Sequence, residues 1–259
     1  MNNIHPTAIV SKKAMLGEDI TIGPGAIIHD DVEIGDGSTI GPYAVLYDGA
    51  RIGKRVRIHQ SASIANIPQD LKFNGEPTKF FVGDDTTIHE FVTLHRGTHE
   101  TGFSRVGSNC LLMAYSHVAH DTVVGNNCIL SNGVQLAGHV ELEDWVIIGG
   151  LTPVHQFCRV GQHSMIGGGF RIVQDVPPFV LAGNEPLRFS GLNVIGLRRR
   201  GFSNDQIAGL KQVYGIIYSS GLTLSLAKAK LRQEYCNDPL AMTVVEFFDK
   251  CGNRGFIRR

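Results

Sequence analysis

An aliphatic residue returns at every sixth position through most of this chain. Stepping by six from Ile4 gives Val10, Leu16, Ile22, Ile28, Ile34, Ile40, Leu46, Ile52, Ile58 and Ile64 without a miss. The period resumes at Val82, Ile88 and Leu94, and again from Val106 through Leu112, Val118 and Val124 to Ile166 and Ile172. Two positions before the aliphatic the side chain is small or β-branched in most hexads, as at Ala26, Ala44, Val56, Ala62, Cys110, Cys128 and Val134. Glycine often follows it, as at Gly17, Gly53 and Gly125, where a turning chain needs positive φ or close approach. One buried aliphatic per six residues predicts a parallel β-helix of triangular section, with three hexads and so roughly 18 residues per rung. Strand-paired rungs lie about 4.8 Å apart. Handedness does not follow from the pattern, and the general rule for parallel crossovers gives right-handed winding.

The period breaks twice. The segments at 65–80 and 96–105 read as loops thrown out of the prism, and uninterrupted rungs need no such excursions, so function is sought there first. After Ile172 the run Asp175 to Pro178 turns the chain into a linker. Ser203 to Gln206 is a capping-box pattern that opens a helix to about Ser219, Thr223 opens a second, and Pro239 a third. The expected organisation is a β-helix over 1–190 followed by an α-helical domain over 191–259.

The 259 residues are 42% apolar and 19% charged, which excludes a disordered or collagenous chain. No apolar run is long enough to span a bilayer, and MNNIHPTAIV lacks the features of a signal peptide. The expectation is a cytoplasmic protein. Five cysteines without CxxC spacing make neither a disulfide framework nor a zinc site; Cys110, Cys128 and Cys158 fall on inward positions and read as packing thiols. Net charge is zero, yet residues 191–259 hold 11 basic against 5 acidic groups. That is too weak a field for nucleic acid and suits one acidic partner.

A rung of 18 residues tells which side chains lie above one another. His120 stacks under Gly138, Gly138 under Gln156, and Asp121 under His139, with His117 near by, all on outward positions of one edge. An outward edge on a lone prism is wet, and a neighbouring subunit could close it into a cleft. The group suits acyl transfer to an alcohol: His120 takes the hydroxyl proton, Asp121 holds the imidazole tautomer, and the Gly138 N–H binds the oxyanion. A thioester donor is already activated, so no protein nucleophile is required.

Over nearly its whole length the chain resembles the cytoplasmic UDP-N-acetylglucosamine 3-O-acyltransferases that begin lipid A biosynthesis. The segments that carry the resemblance are IHPTAIV, QDLKFNGEPT, VTLHRGT, HVAHD, LAGHV, VHQF, QDVPP and GLRRRGFS, in this order. The resemblance implies a left-handed parallel β-helix, a homotrimer with sites at the subunit interfaces, and transfer of an R-3-hydroxyacyl group from acyl carrier protein to the glucosamine 3-hydroxyl. It implies no cofactor beyond the donor's own phosphopantetheine thioester. It makes His120 the general base, Asp121 its orienting partner and Gly138 the oxyanion amide. His117, His139 and Gln156 would line the cleft, and Gln69, Asp70, Lys72 and His95 would contact sugar and nucleotide. Asn193 and Arg199 match nucleotide-side positions, and Gly168 the position that limits acyl length. Arg198, Arg200, Lys211, Arg254 and Arg258 could receive the acidic carrier protein, together with Arg199 and Arg259.

Two alternatives stay open on the sequence. Relatives exist that acylate a 3-amino sugar analogue, giving an amide. The hexad is also shared with γ-class carbonic anhydrases, whose zinc-binding histidine pair is five apart, whereas His117 and His120 are three apart.

Overall fold

In the computed structural model, which describes residues 1–252 and 254–259, three parallel sheets form the walls of a prism wound as a left-handed β-helix. Face I carries eleven strands, starting at Asn3–Ile4. Faces II and III carry eight each, starting at Ile9–Val10 and Met15–Leu16. The register sets aliphatic on aliphatic: Ile4 pairs with Ile22, Ile22 with Ile40 and Ile40 with Ile58. Across the two loops Ile58 still meets Ile88 and Leu94 still meets Val118. These steps of 30 and 24 residues contain whole numbers of hexads, which is why the phase survives both breaks. Ile40, Leu46, Ile64, Leu94, Leu112 and Val118 are fully buried, each such burial contributing about 1.5–3 kcal/mol. Cys110, Cys128 and Cys158 are free thiols buried in this core, as expected.

The corners divide two tasks that the sequence pattern ran together. Positive φ falls on the third residue after most of the aliphatics, as at Tyr43, Asp121, His139 and Trp145. The glycine directly after the aliphatic is needed for space. A Cβ at Gly125 would lie 2.5 Å from Oδ1 of Asp144, whose carboxylate reaches down one rung to accept from the Asn126 N–H at 2.7 Å. Gly17 stands in the same relation to Asp36, and Gly53 to Asp84.

The strands extend further into the loops than expected. Ser63–Asn66, Lys79–Val82 and Phe103–Val106 are paired, so the excursions narrow to 67–78 and 96–102. The expected linker after Ile172 is not one. Its residues close the prism: Ile172 bridges to Val154, Val176 bridges to Val160, and Val180–Gly183 adds in parallel to face I before turning back antiparallel through Arg188–Leu192. This hairpin covers a sheet edge that would otherwise expose unpaired backbone.

Four helices follow: α1 (Val194–Arg199), α2 (Asn204–Ser219), α3 (Leu224–Glu234) and α4 (Pro239–Asp249). The last three begin where the capping residues predicted, with the Ser203/Gln206 capping box formed. Helix α1 was not expected; Asn193 caps it, its side chain accepting from the Gly196 N–H. The helices are tied to the prism by Tyr214, which donates to the Pro178 carbonyl at 2.6 Å, and by the Arg159 guanidinium 5.0 Å over the Phe247 ring.

Candidate active site

Every residue that leaves face II and enters face III passes over one edge of the prism. Val118 lies on face II and Val124 on face III, so His120 and Asp121 lie on this II–III edge, as do Gly138 and His139 one rung on and Gln156 a further rung on. Both loops leave from the same edge, between Ile64 and Val82 and between Leu94 and Val106. The 18-residue ladder holds at the centre of this group. The His139 N–H donates to the His120 carbonyl at 3.1 Å and the Phe157 N–H to the Gly138 carbonyl at 3.3 Å. The His120 ring lies against Gly138.

Nδ1 of His120 is 2.7 Å from Oδ2 of Asp121. An ionised carboxylate only accepts, so this contact puts the ring proton on Nδ1 and leaves Nε2 as the basic nitrogen. The sequence missed what holds the carboxylate. Loop 96–102 folds over it, and Asp121 accepts the Thr98 N–H at 2.9 Å, the Thr98 hydroxyl at 2.8 Å and the Thr101 hydroxyl. The Asp121 side chain is fully buried, and His120 and His139 are mostly so. The edge is therefore less wet than an outward position implies, even in one chain. Burial raises the Asp121 pKa, but hydrogen bonds from Thr101, His120 and Thr98 outweigh it and hold the carboxyl below its ordinary value.

The other imidazoles form a wall around this dyad. His139 stands edge-on to His120 with ring centroids 5.3 Å apart, stacks on Phe157, and lies 3.5 Å from Glu100 of the loop. His117 is bonded to the Thr93 hydroxyl at 2.7 Å and packs edge-on against His95. Burial, with His117 and His120 as neighbours, pushes His95 down to about 4, and burial likewise lowers His117. Both are neutral at pH 7. Nδ1 of His95 is buried with no hydrogen-bond partner among the described residues, leaving it available to a ligand.

Ligand atoms of His120, Asp121 and His139 lie within 4.8 Å of one another, close enough to invite a cation. The donor set argues against that use. Both Asp121 oxygens already accept N–H and O–H donors, so the arrangement is that of a hydrogen-bonded dyad.

Gln69, Asp70 and Lys72 lie on the first loop at the same edge, Gln69 and Lys72 exposed and Asp70 half-buried, and make no hydrogen bond to an imidazole among the described residues. That loop is fastened to the second by Arg96, 5.5 Å over the Phe73 ring, and by His99 beside Glu76 at 3.6 Å. Three other expected site residues lie elsewhere on the prism. Gly168 is on the I–II edge, its Cα side facing the Gly150 carbonyl. Asn193 and Arg199 line an open cavity of about 560 Å³ against face I with Ile147, Met165 and Leu181. Face I is the wall opposite the II–III edge, so these residues cannot meet His120 within one chain.

Among the basic residues, Arg198, Arg199, Lys211 and Arg258 are exposed. Arg200 is not an open cation: its guanidinium lies 5.1 Å over the Trp145 ring and Nη1 is 3.2 Å from Nδ1 of His163. Lys211 and Arg259 share a cavity of about 230 Å³ with Tyr214 and Tyr218.

Comparison with known proteins agrees with this geometry. A family model described as bacterial transferase hexapeptide (six repeats) matches residues 31–66 and 103–138, and one described as UDP N-acetylglucosamine O-acyltransferase, domain 2, matches residues 175–257. A protein of Burkholderia lata named acyl-[acyl-carrier-protein]–UDP-N-acetylglucosamine O-acyltransferase is 51% identical over 100% of both chains. The crystal structure of a UDP-N-acetylglucosamine acyltransferase from Bacteroides fragilis superposes with a TM-score of 0.95 at 44% identity, over 98% of this chain and 99% of that one. A further structure, a UDP-N-acetylglucosamine acyltransferase from Campylobacter jejuni, gives 0.93 at 36% identity over 99% and 100%.

Proposed function

The chain belongs to the acyl-[acyl-carrier-protein]–UDP-N-acetylglucosamine O-acyltransferases, and from that premise we infer that the His120–Asp121 dyad carries transfer of an R-3-hydroxyacyl chain to the 3-hydroxyl of UDP-N-acetylglucosamine, the first step of lipid A biosynthesis. The observation that supports this most is a basic Nε2, freed by the 2.7 Å contact of Nδ1 with Asp121, set against a glycine one rung on. Nε2 takes the proton of the sugar hydroxyl as its oxygen attacks the thioester carbonyl. The carbonyl oxygen gains charge beside the Gly138 N–H, which donates to no acceptor among the described residues. Collapse breaks the C–S bond, and the leaving thiolate takes the proton from the imidazolium. Ester, carrier thiol and neutral base result.

The acyl donor is carrier-bound, and the enzyme needs no cofactor of its own. Gln69, Asp70, Lys72, His95, His117, His139 and Gln156 bind the acceptor sugar and nucleotide from the II–III edge. Asn193 and Arg199 serve the nucleotide, and Gly168 the end of the acyl chain, from a neighbouring copy. The placement of these three away from His120 in one chain favours that arrangement, since a homotrimer can set face I of one protomer against the II–III edge of the next. The exposed Arg198, Lys211 and Arg258, with Arg254, receive the acidic carrier protein. No helix among the described residues is long and apolar enough to cross a membrane, and a cytoplasmic site of action belongs to the same proposal.

Purified protein offered UDP-N-acetylglucosamine and its 3-amino analogue, each with carrier-bound acyl chains of several lengths, and read by mass spectrometry, tests the reading. An ester on the first sugar is expected. Acylation of the amino sugar alone, or zinc-dependent hydration of carbon dioxide, would overturn it.

A further inference from the structure

Loop 96–102 leaves the prism at the II–III edge and returns to it three strands before the dyad. Its course is set by Gly97, where a Cβ would lie 2.4–2.7 Å from the Phe103 backbone, so only glycine lets the chain fold back this tightly. The turn is held by Thr98, whose carbonyl accepts the Gly102 N–H at 2.8 Å and whose hydroxyl accepts the Glu100 N–H at 3.2 Å. Folded in this way, the loop spends three donors on one carboxylate.

A carboxylate has about four lone-pair sites, and those of Asp121 are all taken. Oδ1 accepts the Thr98 N–H and the Thr101 hydroxyl, whose single proton is shared with the Phe103 carbonyl at 2.8 Å; Oδ2 accepts the Thr98 hydroxyl and His120 Nδ1–H. Such a carboxylate cannot swing, and its charge is shared among four donors, which weakens its pull on any one proton. We propose that Thr98 and Thr101 are positioning residues for the acyl transfer, acting through Asp121: they lock the carboxylate that fixes the His120 tautomer and they restrain the basicity of Nε2. The proposal rests on His120 being the base.

The sign follows from the donor count. Removing a hydroxyl leaves Asp121 with more charge to offer Nδ1–H, which favours imidazolium and raises the pKa of His120. The base is then protonated over a wider range, and the acid limb of kcat/KM moves to higher pH. The other titratable groups facing the dyad are His139 from the next rung, Glu100 from the loop, and His117 and His95 from face II. Thr101→Val leaves all of them in place, whereas Thr98→Val also frees the Glu100 N–H, so the Thr101 variant reads the Asp121 effect alone.

The test compares Thr98→Val, Thr101→Val and Thr98→Ser with the wild-type enzyme and with His120→Ala. The valine variants are expected to lose roughly tenfold to a hundredfold in kcat with little change in KM for the sugar nucleotide. Their acid limb should move up by about half a unit to one unit, and Thr98→Ser should restore both. The pH dependence of His120 modification by diethyl pyrocarbonate, read by peptide mass, reports the same shift without turnover. Valine variants with an unmoved acid limb and an unmoved modification profile would sink the clamp. If His120→Ala itself turned over normally, the fault would lie with the general-base reading.

Discussion

A methyl group placed on Gly138 would sit 2.6 Å from Cε1 and 2.8 Å from Nε2 of His120. The basic nitrogen and the bare backbone of the next rung thus lie against each other, with no room for a side chain at position 138. Gly138→Ala is expected to displace the imidazole and to cost about two orders of magnitude or more in kcat. The unfolding temperature should change little, because His120 lies at the edge and makes no part of the core. Activity and thermal unfolding measured on the one variant check both halves of this expectation; a fully active Gly138→Ala enzyme would speak against the contact.

The opposite result is expected at Gly125, on the edge between faces III and I. A Cβ there meets Asp144 Oδ1 at 2.5 Å and its backbone nitrogen at 2.8 Å, and neither can move without breaking the rung-to-rung hydrogen bond. Gly125→Ala should lower stability by about 1–3 kcal/mol while leaving KM unchanged in the surviving folded enzyme. Denaturant unfolding beside steady-state kinetics separates the two glycines.

Acid should weaken the fold through His95. Burial holds its pKa in the folded chain near 4, against 6.5 when solvated. Between those values the unfolded chain binds more protons than the folded one, so stability falls as pH drops from about 6.5 to 4. His95→Gln removes this share of the linkage and should make the stability profile shallower over that window, while His163, which burial also holds near 4, keeps its own share. Equilibrium unfolding at a series of pH values is the check, and an unaltered slope in the variant would assign the loss to other groups.

Carrier docking should be electrostatic and separable from chemistry. Charge reversal at Arg198 and Lys211, both exposed, is expected to raise KM for the acylated carrier protein about tenfold or more, with a kcat near wild type, and added salt should reproduce the effect in the unmodified enzyme. Arg200→Glu should instead damage folding, since its guanidinium is packed over Trp145.

The prism was legible because its physics is one-dimensional. One buried side chain per hexad fixes face, rung and edge together, and counting by 18 places His120 beneath Gly138 from the sequence alone. The same phase shows in retrospect that both loops leave from the edge that carries His120, since Leu94 belongs to face II and Val106 to face III. What the period could not say is how a loop folds back. Thr98 and Thr101 lie outside the repeat, so their bonds to Asp121 were missed, and with them the burial of that carboxylate. The hairpin 180–192 was hidden for a related reason: it answers to an exposed sheet edge, a tertiary need that leaves no periodic trace. Helix α1, of six residues, is too short for periodicity to announce.

The general base is tested most directly by His120→Ala, assayed for ester product from UDP-N-acetylglucosamine and an acylated carrier protein beside its thermal unfolding. The account predicts a loss of about a hundredfold to ten-thousandfold in kcat/KM with the unfolding temperature of the wild type. Turnover within a few-fold of wild type in that folded variant would contradict it.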